Sequence, residues 1–148
     1  MRAVIQRVSR AEVEVAGHCV SRIDGGLLVL LCIEKGDDAV RIDRAAAKIA
    51  GLRCFADAQG RMNLDLSQIG GQVLVVPQFT LAAELQHKGR RPGFDAAAPP
   101  AQAAALCHRF SSRLAEAGLT VRTGEFGAHM AVHLTNDGPA TFVYEDRG

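Results

Sequence analysis

Few side chains in this sequence are arranged for nucleophilic or metal chemistry. Cys107 and His108 are neighbours in a helical pattern, where consecutive side chains point about 100° apart, so they cannot form a nucleophile and base pair. No GxSxG turn is present. His129 and His133 would share one face of a strand or a helix and could begin a metal site, although the glutamate of an HExxH motif is missing. A metal-dependent hydrolase is therefore an alternative, with ordinary surface or partly buried histidines as the simpler interpretation.

The sequence also has no motif typical of a cofactor-binding loop. The segments "DGG" and "IGG" lack the lysine and hydroxyl of a phosphate-binding loop and the spacing of a dinucleotide site. The segment "DAQGRMNLD" contains acidic residues and glycine without the ligand spacing of a calcium loop, so we interpret it as a turn. We predict neither a metal nor a cofactor.

Two prolines draw attention to the backbone instead. The apolar run "QVLVVPQFTL", residues 72–81, is interrupted by Pro77, which has no N–H to give to a sheet. A strand that ends there frees the following amides, so those of Phe79 and Thr80 can point toward a ligand. The second place is Gly138–Pro139 in "TNDGPATF", where a cis peptide costs about 0.5 to 1 kcal/mol and would turn two carbonyl oxygens the same way. The local sequence alone favours an ordinary trans turn between strands.

The elements that must position these motifs follow from hydrophobic periodicity. "AVIQRV" and "EVEVAG" alternate as two strands, while "GLLVLLCI" is apolar throughout and predicts a central strand covered on both faces. A helix begins at Asp37 as N-cap and ends at Gly51, with an apolar face of Ile42, Ala45, Ala46 and Ile49. A second helix follows "APP" with Leu106, Phe110 and Leu114, and three strands, "LTVRTG", "HMAVHLT" and "ATFVYE", end the chain. This order predicts one α/β domain over residues 1–148 with helices on one face of a sheet.

The composition excludes several classes of protein. The 148 residues are 48% hydrophobic and 22% charged with no tryptophan, and the net charge of +1 argues against a broad nucleic-acid surface. Two basic clusters remain candidates for local RNA contact: Arg2, Arg7 and Arg10, and Lys88, Arg90 and Arg91. No targeting or membrane-spanning segment is evident, and the widely spaced cysteines fit buried reduced thiols, so we predict a cytoplasmic protein.

Both proline motifs resemble those of one family. "PQFTL" and "NDGPAT" are similar to the paired SQFTL and NxPxT signatures of the D-aminoacyl-tRNA deacylases, and "AVIQRVSRAEVEVAG", "GLLVLLCIEKGD" and "FADAQGRMNLDL" match in the same order. The resemblance covers essentially the whole chain. It implies a β/β/α layered domain with a mixed, largely antiparallel sheet and two main helices.

The resemblance also implies a function, namely chiral proofreading in translation. Such a homodimeric hydrolase releases D-amino acids, and mischarged glycine, from the 3′ end of tRNA, with no role for DNA or a membrane. Gly138 and Pro139 correspond to the cis dipeptide that enters the partner subunit's active site and rejects L-amino acids, and Arg7 to the arginine that braces it. Gln78 would position the substrate. The Phe79 and Thr80 amides would stabilise the oxyanion, and the ribose 2′-OH would assist with the proton.

Pro77 departs from the family pattern, which has serine at this place. Proline removes a hydroxyl and an N–H, so neither can act in this chain. A related group that removes L-alanine from tRNA has PQATL and TNGPYTH with a trans Gly–Pro, and Pro77 agrees with that group. Phe79 and the "NDGPAT" spacing agree with the D-specific family, which we prefer. A non-catalytic module that binds RNA ends is a third alternative.

Overall fold

The structure is a computed structural model that describes residues 1–86 and 89–146. Its strands are β1 (Arg2–Val15), β2 (His18–Ile23), β3 (Gly26–Cys32), β4 (Phe55–Ala56), β5 (Met62–Leu64), β6 (Gln72–Pro77), β7 (Thr120–Thr123) and β8 (Ala131–Glu145). Its helices are α1 (Ala39–Ala50), α2 (Leu66–Ile69) and α3 (Pro100–Glu116), and a short 3₁₀ segment, Phe79–Ala82, is called the 79–82 turn below. None of the helices in the described ranges is long and apolar enough to cross a membrane.

Strand β1 organises the main sheet. One of its edges pairs with β3 along its first half and with β2 along its second half, and its other edge pairs with β8. Strand β6 lies parallel to β3, and β7 lies parallel to β6, whereas every pairing of β1 is antiparallel. The mixed, largely antiparallel sheet predicted from the resemblance is confirmed.

Both faces of β3 are covered, as its continuous apolar run predicts. Leu27, Val29 and Leu31 belong to a core shared with α1 and α3. Leu28 faces the other way into a second core whose buried residues all lie on strands. Strands therefore pack on one face and helices on the other, which confirms the β/β/α layering.

The two main helices form where the periodicity predicts them, with one correction. Helix α1 buries Ile42, Ala45, Ala46 and Ile49 as expected, but its N-cap is Asp38, whose side chain accepts from the amide of Arg41. Asp37, the predicted cap, is buried and accepts a 2.7 Å hydrogen bond from the amide of Glu34. The carboxylate of Asp37 is thus engaged before the helix begins, and the next aspartate caps it.

Helices α1 and α3 are also joined by charge. The carboxylate of Asp43 accepts hydrogen bonds from Arg109 at 2.7 Å and from Arg113 at 2.9 Å. These bonds, those to Arg109 first, hold the pKa of Asp43 well below its usual range. These ion pairs connect the two helices that cover one face of the sheet.

Two predicted strand pairs are each a single strand. "AVIQRV" and "EVEVAG" form the continuous β1, and "HMAVHLT" and "ATFVYE" form the 15-residue β8. The prediction of three terminal strands was therefore wrong, because β8 pairs with β1 on both sides of the Gly–Pro segment and stays in the sheet. Periodicity also missed the short elements β2 and α2.

Three of the four cysteines are buried and all four are free, as predicted. Cys32, Cys54 and Cys107 lie in the core, whereas Cys19 is exposed on β2. Burial raises the pKa of each of the three buried thiols, and those of Cys32 and Cys107 reach about 11 and about 12.

Candidate active site

The 79–82 turn begins where β6 ends. Pro77 is the last residue of β6, as predicted, and the amide of Gln78 makes a final 2.7 Å bond to the carbonyl of Leu31. Inside the turn, the amide of Leu81 donates to the carbonyl of Gln78 at 3.2 Å. Within the described residues, no acceptor takes a hydrogen bond from the amide of Phe79 or of Thr80. Both amides are therefore available to a ligand.

The side chains at this turn make two further contacts. The amide nitrogen Nε2 of Gln78 donates to Oγ1 of Thr80 at 2.5 Å. The ring of Phe79 is 59% exposed and meets Phe94 edge to face, with centroids 5.1 Å apart. Gln78 and Thr80 thus contact each other, while the ring of Phe79 between them contacts Phe94.

An apolar pocket of about 650 Å³ opens beside this turn. Its wall includes Leu31, Val76, Phe94 and Cys107, and Gln78, Phe79 and His129 also line it. The volume lies within the range of about 300 to 1,000 Å³ that is typical of small-molecule sites. Mostly apolar walls with a few polar groups suit a flat, partly apolar ligand such as a nucleoside.

Gly138 and Pro139 lie within β8. Asn136 pairs with Val8 and Thr141 with Gln6, so the four residues from 137 to 140 stand opposite Arg7 alone. The predicted tight turn between two strands is therefore a bulge inside one strand. The Gly138–Pro139 peptide is cis, as the resemblance implies. The local sequence alone favoured a trans peptide, so that prediction was wrong.

Arg7 and Asn136 hold this bulge. Nε of Arg7 donates to the carbonyl of Asp137 at 2.7 Å and lies 3.2 Å from its carboxylate, while Nη1 donates to the carbonyl of Cys54 at 2.6 Å. The side chain of Asn136 donates to the carbonyls of Arg7 and Ala140 at 3.0 and 3.1 Å. Sequence reasoning named Arg7 but missed these roles of Asn136 and Asp137, although both lie in the quoted "NDGPAT".

Only glycine fits at position 138. A Cβ there would lie 2.3 Å from Oδ1 of Asn136 and 2.5 Å from the amide nitrogen of Ala140. The second atom belongs to the backbone, so a larger residue must reshape the bulge.

The two motifs are far apart within one chain. The 79–82 turn comes just after Pro77, whose partner Leu31 on β3 pairs with Ala3 of β1, whereas the bulge lies opposite Arg7. Four residues of β1 span about 14 Å, and the three strand spacings from β8 to β6 add about 14 Å at right angles. The bulge and the turn are therefore roughly 20 Å apart.

The remaining candidates do not form a second centre. His129 lines the pocket, whereas His133 lies on β8 with Nε2 3.6 Å from the carboxylate of Glu14. In residues 1–86 and 89–146, no three His, Cys, Asp or Glu side chains are grouped to hold a metal ion. Cys107 is buried and His108 exposed, so they occupy different faces of α3.

The basic clusters are dispersed. Arg2 contacts the 79–82 turn, Arg7 holds the bulge, and Arg10 pairs with Glu12 at 2.7 Å. Arg90 and Arg91 are exposed on the segment between the turn and α3. Lys88, their predicted companion, lies outside the described residues.

Fold and site together define an α/β protein with a pocket of about 650 Å³ that is lined in part by Gln78 and Phe79, at the start of a turn with two free backbone amides. The chain belongs to the family described as D-Tyr-tRNA(Tyr) deacylase, whose model matches residues 4–145.

Similar proteins cover nearly the whole chain. A protein of Dinoroseobacter shibae named D-aminoacyl-tRNA deacylase is 53% identical, over 98% of this chain and 99% of its own. A protein of the same name from Symbiobacterium thermophilum is 50% identical, over 98% of this chain and 95% of its own. A solved structure of a protein named "c-Myc DNA Unwinding Element Binding Protein" is 37% identical with a TM-score of 0.92 over the full length of both chains. The solved structure of a probable eukaryotic D-amino acid tRNA deacylase has a TM-score of 0.83 over 97% of both chains at 18% identity, which shows the shared fold.

Proposed function

We propose that this protein hydrolyses the ester bond of D-aminoacyl-tRNA, and of glycine mischarged on tRNA(Ala), in chiral proofreading. The free amides of Phe79 and Thr80 beside the apolar pocket are the observation that carries this proposal. Membership of the deacylase family supports it. A cytoplasmic location stays a prediction that follows from such a substrate.

The proposed chemistry uses backbone and substrate groups. Water adds to the ester carbonyl, and the carbonyl oxygen becomes an oxyanion that accepts hydrogen bonds from the amides of Phe79 and Thr80. The ribose 3′ oxygen then leaves, with the neighbouring 2′-OH assisting the proton transfers. Gln78 positions the substrate, and its bond to Oγ1 of Thr80 already engages that hydroxyl, which is not required as a nucleophile.

Pro77 fits this mechanism as the end of the scaffold. It offers neither a hydroxyl nor an N–H, and it pairs only as the last residue of β6. We therefore expect that Pro77→Ser changes the rate little and leaves the preference for D-esters in place.

The proposed active form is a homodimer in which the Gly138–Pro139 bulge of one subunit enters the pocket of the other. The separation of roughly 20 Å between bulge and turn supports this arrangement, because one chain does not bring its own motifs together. In the part of the chain that the structure describes, β8 pairs with β1 alone, so its other edge is open to a second copy. Val143 on this strand is 70% exposed, and an apolar side chain there fits an interface.

In this dimer, the carbonyl oxygens of the bulge would lie close to the substrate α-carbon. They would leave room for hydrogen on one side and exclude an L side chain, while glycine passes. Gly138→Ala tests the selection, because the added Cβ forces the bulge to move by about 0.5 to 1 Å, and a misplacement of about 1 Å can cost about 100-fold in rate.

Gly25→Ala is the matched control for this change, since a Cβ at position 25 meets nothing within 4 Å. We expect Gly138→Ala to lose D-activity or to accept L-esters while Gly25→Ala keeps both properties. Unchanged rates and selectivity in Gly138→Ala would show that the bulge has no part in selection.

The function itself is tested with purified protein, D-tyrosyl-tRNA and EDTA. Release of free D-tyrosine at the same rate with and without chelator supports the proposal, whereas loss of activity in EDTA would favour the metal-dependent alternative. Cleavage of L-alanyl-tRNA in preference to D-tyrosyl-tRNA would favour the L-alanyl alternative. Binding of tRNA without any turnover would favour the non-catalytic module.

DNA binding is a competing function, suggested by the name of the similar c-Myc DNA Unwinding Element Binding Protein. A net charge of +1 argues against it, because duplex binding needs many phosphate contacts. We expect that adding duplex DNA to the assay leaves the rate of tRNA ester hydrolysis unchanged.

A further inference from the structure

Two carbonyl groups of the 79–82 turn are held by side chains from β1 and β3. Sγ of Cys32 lies 3.6 Å from the carbonyl oxygen of Phe79, and Nη1 of Arg2 donates to the carbonyl of Leu81 at 3.0 Å. Both partners come from distant segments, Cys32 from the end of β3 and Arg2 from the start of β1. The turn is therefore attached to the sheet by two side chains.

The contact with Cys32 sets the direction of one amide directly, whereas the bond from Arg2 holds the turn at Leu81. In a trans peptide the C=O and the following N–H point in opposite directions, and the only cis peptide among the described residues is Gly138–Pro139. Because the carbonyl of Phe79 faces the buried thiol of Cys32, the amide of Thr80 must face outward. The carbonyl of Gln78 is taken inside the turn by Leu81, so the amide of Phe79 faces outward as well.

Arg2 is itself fixed at its other end. Its Nε lies 3.1 Å from the carboxylate of Glu34 and 4.0 Å from that of Glu145 on β8. A guanidinium held by a carboxylate keeps its remaining N–H groups in a fixed plane. The bond to Leu81 is therefore directed by the sheet rather than by a freely moving side chain.

Cys32 keeps the proton that a hydrogen-bond donor needs. Its side chain is fully buried, and burial raises its pKa to about 11, so the thiol keeps its proton at neutral pH. The carbonyl of Ile33 lies 3.7 Å from the sulfur as a second acceptor. The thiol proton therefore has two acceptors within reach, and the carbonyl of Phe79 is the nearer one.

We propose that Cys32 and Arg2 are positioning residues for the oxyanion donors: Cys32 directs the Thr80 amide through the carbonyl of Phe79, and Arg2 holds the 79–82 turn in place at Leu81. This inference rests on the proposed function and adds two residues that act through the turn without touching the substrate. Their loss should weaken stabilisation of the transition state more than binding of the ester.

Steady-state kinetics on D-tyrosyl-tRNA test the inference with two pairs of variants. In Arg2→Ala we expect kcat to fall about tenfold with KM within about twofold of wild type, and Arg2→Lys, which keeps one donor, to recover part of the loss. In Cys32→Ala we expect a smaller fall in kcat, and Cys32→Ser, which restores a hydroxyl donor, should lie closer to wild type.

Arg22→Ala is the matched control. Like Arg2, Arg22 is a partly exposed arginine that bonds to a glutamate: its Nε lies 2.9 Å from the carboxylate of Glu12. It is far from the turn, because Glu12 lies ten residues along β1 from Arg2, or about 33 Å. This variant should keep both kcat and KM.

The outcomes distinguish the positioning role from the proposed function. Wild-type protein that leaves D-tyrosyl-tRNA intact overturns the proposed function itself. Active wild-type protein with unchanged kcat in Arg2→Ala and Cys32→Ala overturns the positioning role. If Arg2→Ala does not fold, the Cys32 pair decides: equal kcat in Cys32→Ala and Cys32→Ser contradicts the inference.

Discussion

The amide of Phe79 can be deleted by a single substitution, Phe79→Pro. This amide has no acceptor among the described residues, so its removal costs no hydrogen bond within that part of the fold. Phe79 is the first residue of the turn, a position that accepts proline. Gln78 before it has φ −143° and ψ 71°, outside the helical region that proline excludes for its predecessor. We therefore expect the variant to fold.

The expected loss follows from the role of the amide. Removal of one oxyanion donor costs about 100- to 1,000-fold in kcat, or about 2.7 to 4 kcal/mol of transition-state stabilisation. Phe79→Pro also removes an aromatic ring that contacts Phe94 and lines the pocket. Phe79→Ala removes the same ring and keeps the N–H, so the ratio of the two variants isolates the amide.

The assay is single-turnover hydrolysis of D-tyrosyl-tRNA, with thermal unfolding of each variant as a check of folding. We expect Phe79→Ala to weaken binding of the ester with a modest change in the rate of its hydrolysis, and Phe79→Pro to be slower than Phe79→Ala by about 100-fold or more. Equal rates in two folded variants would refute the assignment of the Phe79 amide as an oxyanion donor.

Three further predictions concern charge and cysteine chemistry. Asp43→Asn should lower Tm by about 2 °C at pH 7, and because the folded pKa of Asp43 is depressed, this difference should shrink as the pH falls below about 4, as thermal scans across pH can show. A colorimetric thiol reagent at pH 8 should label Cys19 rapidly in the native protein and all four cysteines only after denaturation. Replacing both Arg90 and Arg91 by alanine should raise KM for aminoacyl-tRNA and lower its logarithmic salt slope by up to about 2, with no effect on a D-aminoacyl-adenosine ester.

Local patterns predicted the parts of the fold that depend on nearby residues. The apolar run of β3 determined a strand buried on both faces, and the spacing of Ile42, Ala45, Ala46 and Ile49 determined the buried face of α1. Pro77 ended β6 because the ring removes a ladder donor wherever it stands. Each of these features depends only on side chains that are close together in the sequence, within one or two helical turns or a few residues of a strand.

Pairing between distant segments could not be predicted in this way. The segment of β8 around Gly138 is polar and turn-like in sequence. Even so, β1 pairs with the residues of β8 before and after this segment, so the segment stays in the sheet. The contact of Arg2 with Leu81 joins residues 79 positions apart, and no local signal indicates it. The grouping of Gln78, Phe79 and Thr80 was accessible because the three are consecutive.

The most direct test of chiral ester hydrolysis compares D- and L-tyrosyl-tRNA in parallel time courses with the same wild-type protein. We predict rapid loss of the D-ester while the L-ester decays only at its spontaneous rate. Equal loss of both esters, or of neither, would contradict the proposed function.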